Sequence, residues 1–394
     1  MVSIGYYTLS VIAFVAVLAA FMYADRKNIT RSHGIVFYKK TKRGREFVDA
    51  LAKSHPLFWR VMGNAGVAAG IVGMIGAVAF LVDAALTPKA GPGLALVLPF
   101  PSAEGASGAG FVGVPFWHFM IGIALFVLVH EGFHAIQARN ENVAIKSMGV
   151  GLVAIIPWAF VEPNERQVRK KPWLSRMRLY AAGAFGNFLL AGVALLVTNF
   201  LFVPAFASGA IGFGGYVDPS QYGASEPFPA QAAGLAPPII AFDGQRVETT
   251  EEFSAALAAK KPGDAVVVQT LSESYTIRLA AHPEYPDRAY LGVAGPKVVQ
   301  VLKDAYRNDP LKAGSLNFVG DLLYWIFALS LGIGLANLFP IGPLDGGQML
   351  RTLAERFTPR LAGDVMRAST TFMMVLILWM IVPVLLGAIG SLFV

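Results

Sequence analysis

Six stretches of the chain are apolar for long enough to cross a bilayer as helices, which takes about 20 mainly apolar residues. They lie near 4–24, 62–86, 114–138, 177–206, 316–339 and 368–393. The third and fifth carry polar groups that a lipid-facing helix would not keep. Between the third and fourth, residues 143–161 are apolar but rich in Val, Ile and Gly, without a helical start signal. This pattern predicts a strand or hairpin at the membrane face. Backbone of that kind at membrane depth must be buried in protein or line a wet cavity.

A different texture covers 211–298. Strand-like runs such as PIIAFDGQRV and DAVVVQTL are separated by the turn signals DG and PGD,. Between them TTEEFSAALAAKK predicts a helix with a capping box, Thr249 with Glu252,. The fold class is thus a multi-span α-helical membrane protein of about six transmembrane helices, with an inserted small α+β domain. The four segments are 1–113 (two spans and a basic loop), 114–210, the inserted domain at 211–298, and 299–394. SAEGASGAG, at 102–110, reads as a flexible loop,.

Composition agrees. Of 394 residues 55% are hydrophobic and 14% charged, where a soluble chain carries roughly a quarter charged. The first apolar run has no basic residue before it and no small-residue cleavage site after it, so it reads as an uncleaved span. The absence of cysteine removes thiolate ligands, disulfides and a cysteine nucleophile,. The net charge of +7 does not call for nucleic acid, because the basic residues sit in short loops. Residues 26–60 hold ten Lys or Arg against two acids, 139–178 eight against three, and 351–367 four against two. Those loops alternate correctly for six spans with the basic loops cytoplasmic and both termini outside. The inserted domain, with ten acids against six bases, falls on the outer side.

Chemistry is concentrated at two places. The third span ends in FVLVHEGFHAIQARN. His130 and His134, four apart on a helix, share one face and can reach one cation, with Glu131 beside them to take a proton from water. Ionisable groups in a span are expensive and mark function by default. A catalytic zinc needs a third protein ligand. The fifth span ends in ANLFPIGPLDGGQML, where Pro340 and Pro343 break the helix and Asp345 is the acid at hand. Asp345 can equally be the N-cap of the helix that follows; the residues alone leave ligand and cap open. His118 reads as an interfacial residue beside Trp117, and His33, His55 and His282 as solvated loop residues.

HEGFH in one span followed by Asn337, Pro340, Pro343, Leu344, Asp345 and Gly346 in a later one resembles the site-2 protease family of intramembrane metalloproteases. AAGAFGNFLLAG is similar to that family's G-x-x-x-N helix at Gly183 and Asn187, and IIPWAFVEPNE to its archaeal members. The resemblance implies His130, His134 and Asp345 as ligands of one Zn2+ and Glu131 as the general base. It also implies Asn187 and Asn337 lining the site, on substrate backbone or the developing oxyanion. An interhelical hydrogen bond is the alternative for either Asn. The inserted domain resembles a PDZ domain through FPAQAAGLAPPIIAFDGQRV, with Leu291, Gly292 and Val293 as the peptide-binding loop; Pro238-Ile239 departs from the usual Gly-Asp. The implied activity is hydrolysis of peptide bonds in transmembrane segments, with the lipid bilayer and transmembrane proteins as partners. The implied location is the cell membrane, the active site toward the cytoplasmic side. A metal transporter or an inactive scaffold are the competing classes.

Overall fold

The computed structural model describes residues 5–32, 35–41, 44–87, 95–103, 105–108, 111–223 and 225–390. The chain divides into two compact units, 1–196 with 321–394, and 197–320. The first unit contains helices α1 (Tyr6–Ala24), α2 (Arg45–Ser54), α3 (Pro56–Leu86), α4 (Phe116–Asn140), α5 (Glu165–Arg169) and α6 (Trp173–Leu196). It continues with α7 (Pro310–Asn337, entering from the second unit), α8 (Asp345–Phe357) and α9 (Ala362–Gly390). Its strands are β1 (Thr30–Ser32), β2 (Val36–Thr41), β3 (Leu96–Phe100), β4 (Ala106–Gly108), β5 (Phe111–Pro115), β6 (Ile145–Val153) and β7 (Ile156–Pro163).

Six helices among the described residues are long and apolar enough to span a membrane: Tyr6–Ala24, Pro56–Leu86, Phe116–Asn140, Trp173–Phe206, Pro310–Asn337 and Ala362–Val382. Each of the six expected stretches overlaps one of these helices. The second begins six residues earlier than hydropathy suggests, because Pro56 takes the first helical position, where its missing N–H costs nothing,. The fourth continues beyond Leu196 through a π-helical stretch, Val197–Phe202.

The expected hairpin at 143–161 is β6 and β7, paired antiparallel from Ile145↔Pro163 to Val153↔Ile156. It belongs to a larger sheet in the order β1-β2-β6-β7. β2 comes from VFYKK inside the first basic loop, where no strand was expected. β7 is an edge strand of this sheet. The stretch read as a flexible loop at 102–110 contains β4, which pairs with β5; Glu104, Ala109 and Gly110 lie outside the described residues. Part of the basic loop folds as α2, which buries Val48 and Ala52 against Ala135 and Ile136 of α4 and leaves Phe47 exposed.

Close helix approach depends on absent side chains. Gly66, Gly70 and Gly73 of α3 lie against Phe185, Met349 with Ala181, and Leu338, respectively, where an added Cβ would come within 3.3 Å or less of its neighbour. Small residues at such crossings let membrane helices pack backbone to backbone. The ends of α3, α4 and α6 are tied by a polar cluster. Arg178 donates to Glu141 Oε1 (2.8 Å) and to Asn64 Oδ1 (2.8 Å), with both members of the ion pair 12% exposed. Removing one partner of a buried pair strands the other. Arg178→Met is therefore expected to cost about 3 kcal/mol, read as a lowered midpoint of thermal unfolding in detergent. An unchanged midpoint would contradict a structural role for the pair.

The second unit holds a five-strand path in the order Ser274–Arg278, Ala265–Thr270, Ile239–Phe242, Ala207–Gly212, Lys297–Leu302, with Gln245–Arg246 paired to Ile239–Phe242. The expected capping box is present on Thr250–Ala258: Glu252 N–H donates to Thr249 Oγ1 (3.2 Å), and the Glu252 carboxylate accepts from Thr249 N–H (3.4 Å). Ala207–Gly212 pairs along its whole length with Lys297–Leu302, so the sheet takes in chain on both sides of 211–298. Leu291 is buried in this unit's core. Its carbonyl accepts from Ala230 N–H and that of Gly292 from Val217 N–H, while Val293 pairs with Tyr216. Gly292 is left-handed (φ 85°), and a Cβ there would lie 2.3 Å from Phe228 Cβ.

Candidate metal centre

α4 presents His130 and His134 on one face, and α6 packs against that face. Each ring is fixed from behind. His134 Nδ1 lies 2.9 Å from the Leu179 carbonyl of α6 and therefore donates to it. His130 Nδ1 lies 2.9 Å from the Asn187 carboxamide, and its ring stacks on Phe126. With Asn187 Nδ2 toward the ring, Oδ1 is buried without a partner. A half-turn of the amide makes Oδ1 the acceptor of His130 Nδ1–H and leaves His130 Nε2 without a proton. The two Nδ1 atoms are then donors, and both Nε2 lone pairs point the same way.

They point at Asp345. After α7 ends at Asn337, the turn through Pro340 and Pro343 brings the chain back so that Asp345 opens α8. Two glycines make this possible: a Cβ on Gly346 would lie 2.0 Å from the Leu338 carbonyl oxygen, and one on Gly347 2.0 Å from that of Ile341. The turn is also held from outside. Ser369 Oγ of α9 donates to the Pro340 carbonyl (2.7 Å), Gly342 N–H donates to Thr370 Oγ1 (3.2 Å), and Gln348 Nε2 donates to the Gly342 carbonyl (2.7 Å). The cap residue of α8 is Leu344, and Asp345 is its first helical residue. The cap alternative therefore does not hold.

Asp345 Oδ2 lies 3.3 Å from both His130 Nε2 and His134 Nε2, and the two Nε2 atoms are 3.2 Å apart. Sides of 3.2, 3.3 and 3.3 Å put the point equidistant from the three atoms about 1.9 Å from each, close to the roughly 2.0–2.2 Å of zinc–nitrogen and zinc–oxygen bonds. Asp345 Oδ2 is buried without a hydrogen-bond partner. Two imidazole lone pairs and a carboxylate oxygen converging in a desolvated place repel one another unless a cation lies between them. The residues present therefore fit a divalent metal ion, and His130, His134 and Asp345 form one group able to hold it. The space beside them is kept by Gly183 of α6, where a Cβ would stand 2.3 Å from His134 Nε2 and 2.7 Å from His130 Nε2.

Glu131 sits beside this triangle, its Oε2 accepting the N–H of Val161 in β7 (2.7 Å). A cavity of about 400 Å3 opens over the group, lined among others by Glu131, Ala159, Val161, Tyr180, Asn337 and Gln348. Asn337 thus lines the site, whereas Asn187 is wholly buried behind His130 and out of reach of a substrate in that cavity. His118 is also buried. Val161, Tyr180, Gln348 and the Leu179 carbonyl belong to none of the motifs that mark the site in the sequence. Gln348, one helical turn after Asp345, was the one with a visible signal; backbone groups have none.

Asn187→Ala removes the partner of His130 and is expected to weaken metal binding about 10–100-fold, measured by competition with a metal buffer. Asn187→Asp, which keeps an acceptor, should restore part of it. An unchanged affinity in the Ala variant would contradict the positioning role.

The comparison with known families agrees with this geometry. The model of peptidase family M50, the site-2 protease family, matches residues 118–381, about two-thirds of the chain and the whole of the centre described above. The chain belongs to peptidase family M50, a family of membrane metalloproteases.

Proposed function

We propose that this protein is an intramembrane zinc protease that hydrolyses peptide bonds within or near transmembrane segments of other membrane proteins, in regulated intramembrane proteolysis. The observation that carries the reading is the convergence of His130, His134 and Asp345 on one point beside Glu131, in a cavity walled by an edge strand. A bound zinc ion, favoured by two imidazoles and a carboxylate, would supply Lewis acidity and lower the pKa of water at the site. Glu131 takes the proton from the attacking water and passes it to the leaving amine. Asn187 and the Leu179 carbonyl keep the imidazoles aimed. Asn337, on the cavity wall, donates to the substrate carbonyl as charge develops on it.

A helical substrate hides its peptide bonds in its own hydrogen-bond ladder and must unwind before it is cut. The free edge of β7 supports an extended segment by strand addition. Val161 N–H on that edge is held by Glu131, so an added strand that takes this donor also frees the carboxylate at the place where it is needed. The inserted domain at 211–298 acts as a PDZ-like recognition element on the outer side, through Leu291, Gly292 and Val293. The active site faces the cytoplasmic side of the cell membrane.

The reading is tested with purified protein in proteoliposomes and a model single-span substrate. Cleavage within the span, mapped by mass spectrometry, abolished by a chelator and restored by zinc is expected. Zinc transport with the substrate left whole would establish a transporter instead, and substrate binding without cleavage would establish a scaffold.

A further inference from the structure

The catalytic cavity borders a second, larger one. The two share Val161, Pro163, Tyr180 and Gln348, and the second has a volume of about 940 Å3. It is walled by the end of β7, α5, the start of α6, α8 and the start of α9. Those segments carry two of the three basic clusters, so it opens on the side of the basic loops. A strand laid along the free edge of β7 passes Val161, beside Glu131, and then Pro163. Roughly two to four residues beyond the cut, at about 3.3 Å per residue, it lies in this second cavity.

The charges there are equal in number and unequal in pairing. Glu162 is bonded to Ser147 Oγ (2.7 Å) and Lys146 Nζ (3.5 Å), and the Ser147 bond, followed by Lys146, holds its carboxyl below the ordinary value. Arg176 pairs with Glu355 (2.7 Å) and Arg169 with Glu165 (3.8 Å). Arg351 lines the same cavity, is exposed and makes no ion pair among the described residues. Each of the three acids is therefore occupied, and one guanidinium is left over. The Nε of Arg176 is, in addition, buried without a hydrogen-bond partner. A guanidinium in a polar cavity is matched by a carboxylate, which it can bind through two parallel N–H donors.

We propose that Arg351 is a specificity-determining residue that reads an acidic side chain in the substrate, two to four residues from the cut on the basic-loop side. The proposal rests on the protease reading above and adds to it a sequence preference. The cavity accepts the extended segment leaving β7, and the carboxylate completes the one unmatched charge.

The experiment compares Glu, Ala and Lys at each of those three positions of a single-span substrate whose cut has been mapped. Full-length wild type and Arg351→Glu are used in proteoliposomes of neutral lipid. At one of the positions wild type is expected to show kcat/KM about tenfold higher with Glu than with Lys, the size of one charge-assisted hydrogen bond. The Glu-to-Lys ratio should invert in Arg351→Glu. Because the readout is a ratio between substrates, partial loss of folded enzyme does not imitate it. A ratio that is the same in both enzymes, including a uniform loss from a contact with lipid headgroups, overturns this proposal and leaves the protease reading standing. If the unsubstituted substrate is itself left whole, so that no cut can be mapped, the protease reading falls and this proposal with it.

Discussion

Glu131→Gln is expected to lower peptide-bond hydrolysis about a thousandfold, within the 10²–10⁴-fold typical of a lost general base, while the protein keeps its metal. The substitution preserves shape. A Gln carbonyl oxygen can still accept the Val161 N–H that Glu131 Oε2 accepts at 2.7 Å, so β7 stays against α4. The three metal-facing atoms, on His130, His134 and Asp345, are untouched. What disappears is a group able to take a proton from water. Single-turnover cleavage of a model substrate, run beside metal stoichiometry, separates the two properties. A rate within threefold of wild type would remove Glu131 from the chemistry. Loss of metal along with rate would make it a structural residue.

Gly183→Ala should have an effect of similar size by the opposite route, through the metal. One methyl group at this position stands 2.3 Å from His134 Nε2 and 2.6–2.7 Å from His130 Cε1 and Nε2, distances that carbon and nitrogen atoms do not share. The rings cannot swing away freely, because their other nitrogens are held by Leu179 and Asn187. Metal affinity is expected to fall by at least about a hundredfold, beyond the usual effect of a residue behind the ligands, with activity falling in parallel and recovering partly at high metal concentration. Gly192→Ala is the matched control, since it lies on the same helix and a Cβ there meets nothing within 4 Å. Equal metal affinity in the two variants would show that Gly183 does not shape the centre.

Much of this centre was legible because its chemistry is local in sequence. HEGFH puts two imidazoles and a carboxylate on one turn of helix, and a fixed helical period does the rest. The Pro and Gly residues around Asp345 signalled a broken helix, and the structure gives their reasons: Pro340 and Pro343 end α7, while Gly346 and Gly347 let α8 touch the carbonyls of Leu338 and Ile341. Whether Asp345 capped a helix or faced a metal was not decidable from the chain alone, because both roles want a short acid at a helix start. The G-x-x-x-N motif was visible as a pattern, but its two halves have separate jobs: Gly183 makes room for the rings, and Asn187 orients one of them.

The illegible part is nonlocal. β2 hides in a run of Lys and aromatic residues, because its partner β6 is more than a hundred positions away. The role of Val161 belongs to its backbone N–H, which every non-proline residue has. The glycines of α3 read as ordinary membrane-helix residues until Phe185, Met349 and Leu338 are seen against them. The anchoring of the Pro340–Gly342 turn by Ser369 and Thr370 joins helices that no spacing rule connects.

Two imidazoles and the Asp345 carboxylate are expected to hold one metal ion between α4 and α8. Metal stoichiometry of purified wild type and Asp345→Ala, by elemental analysis after dialysis against weak chelator, tests it most directly. One zinc per chain in wild type and less than a tenth of that in the variant is the expected result; a wild type without metal, or a variant that keeps its full complement, would contradict it.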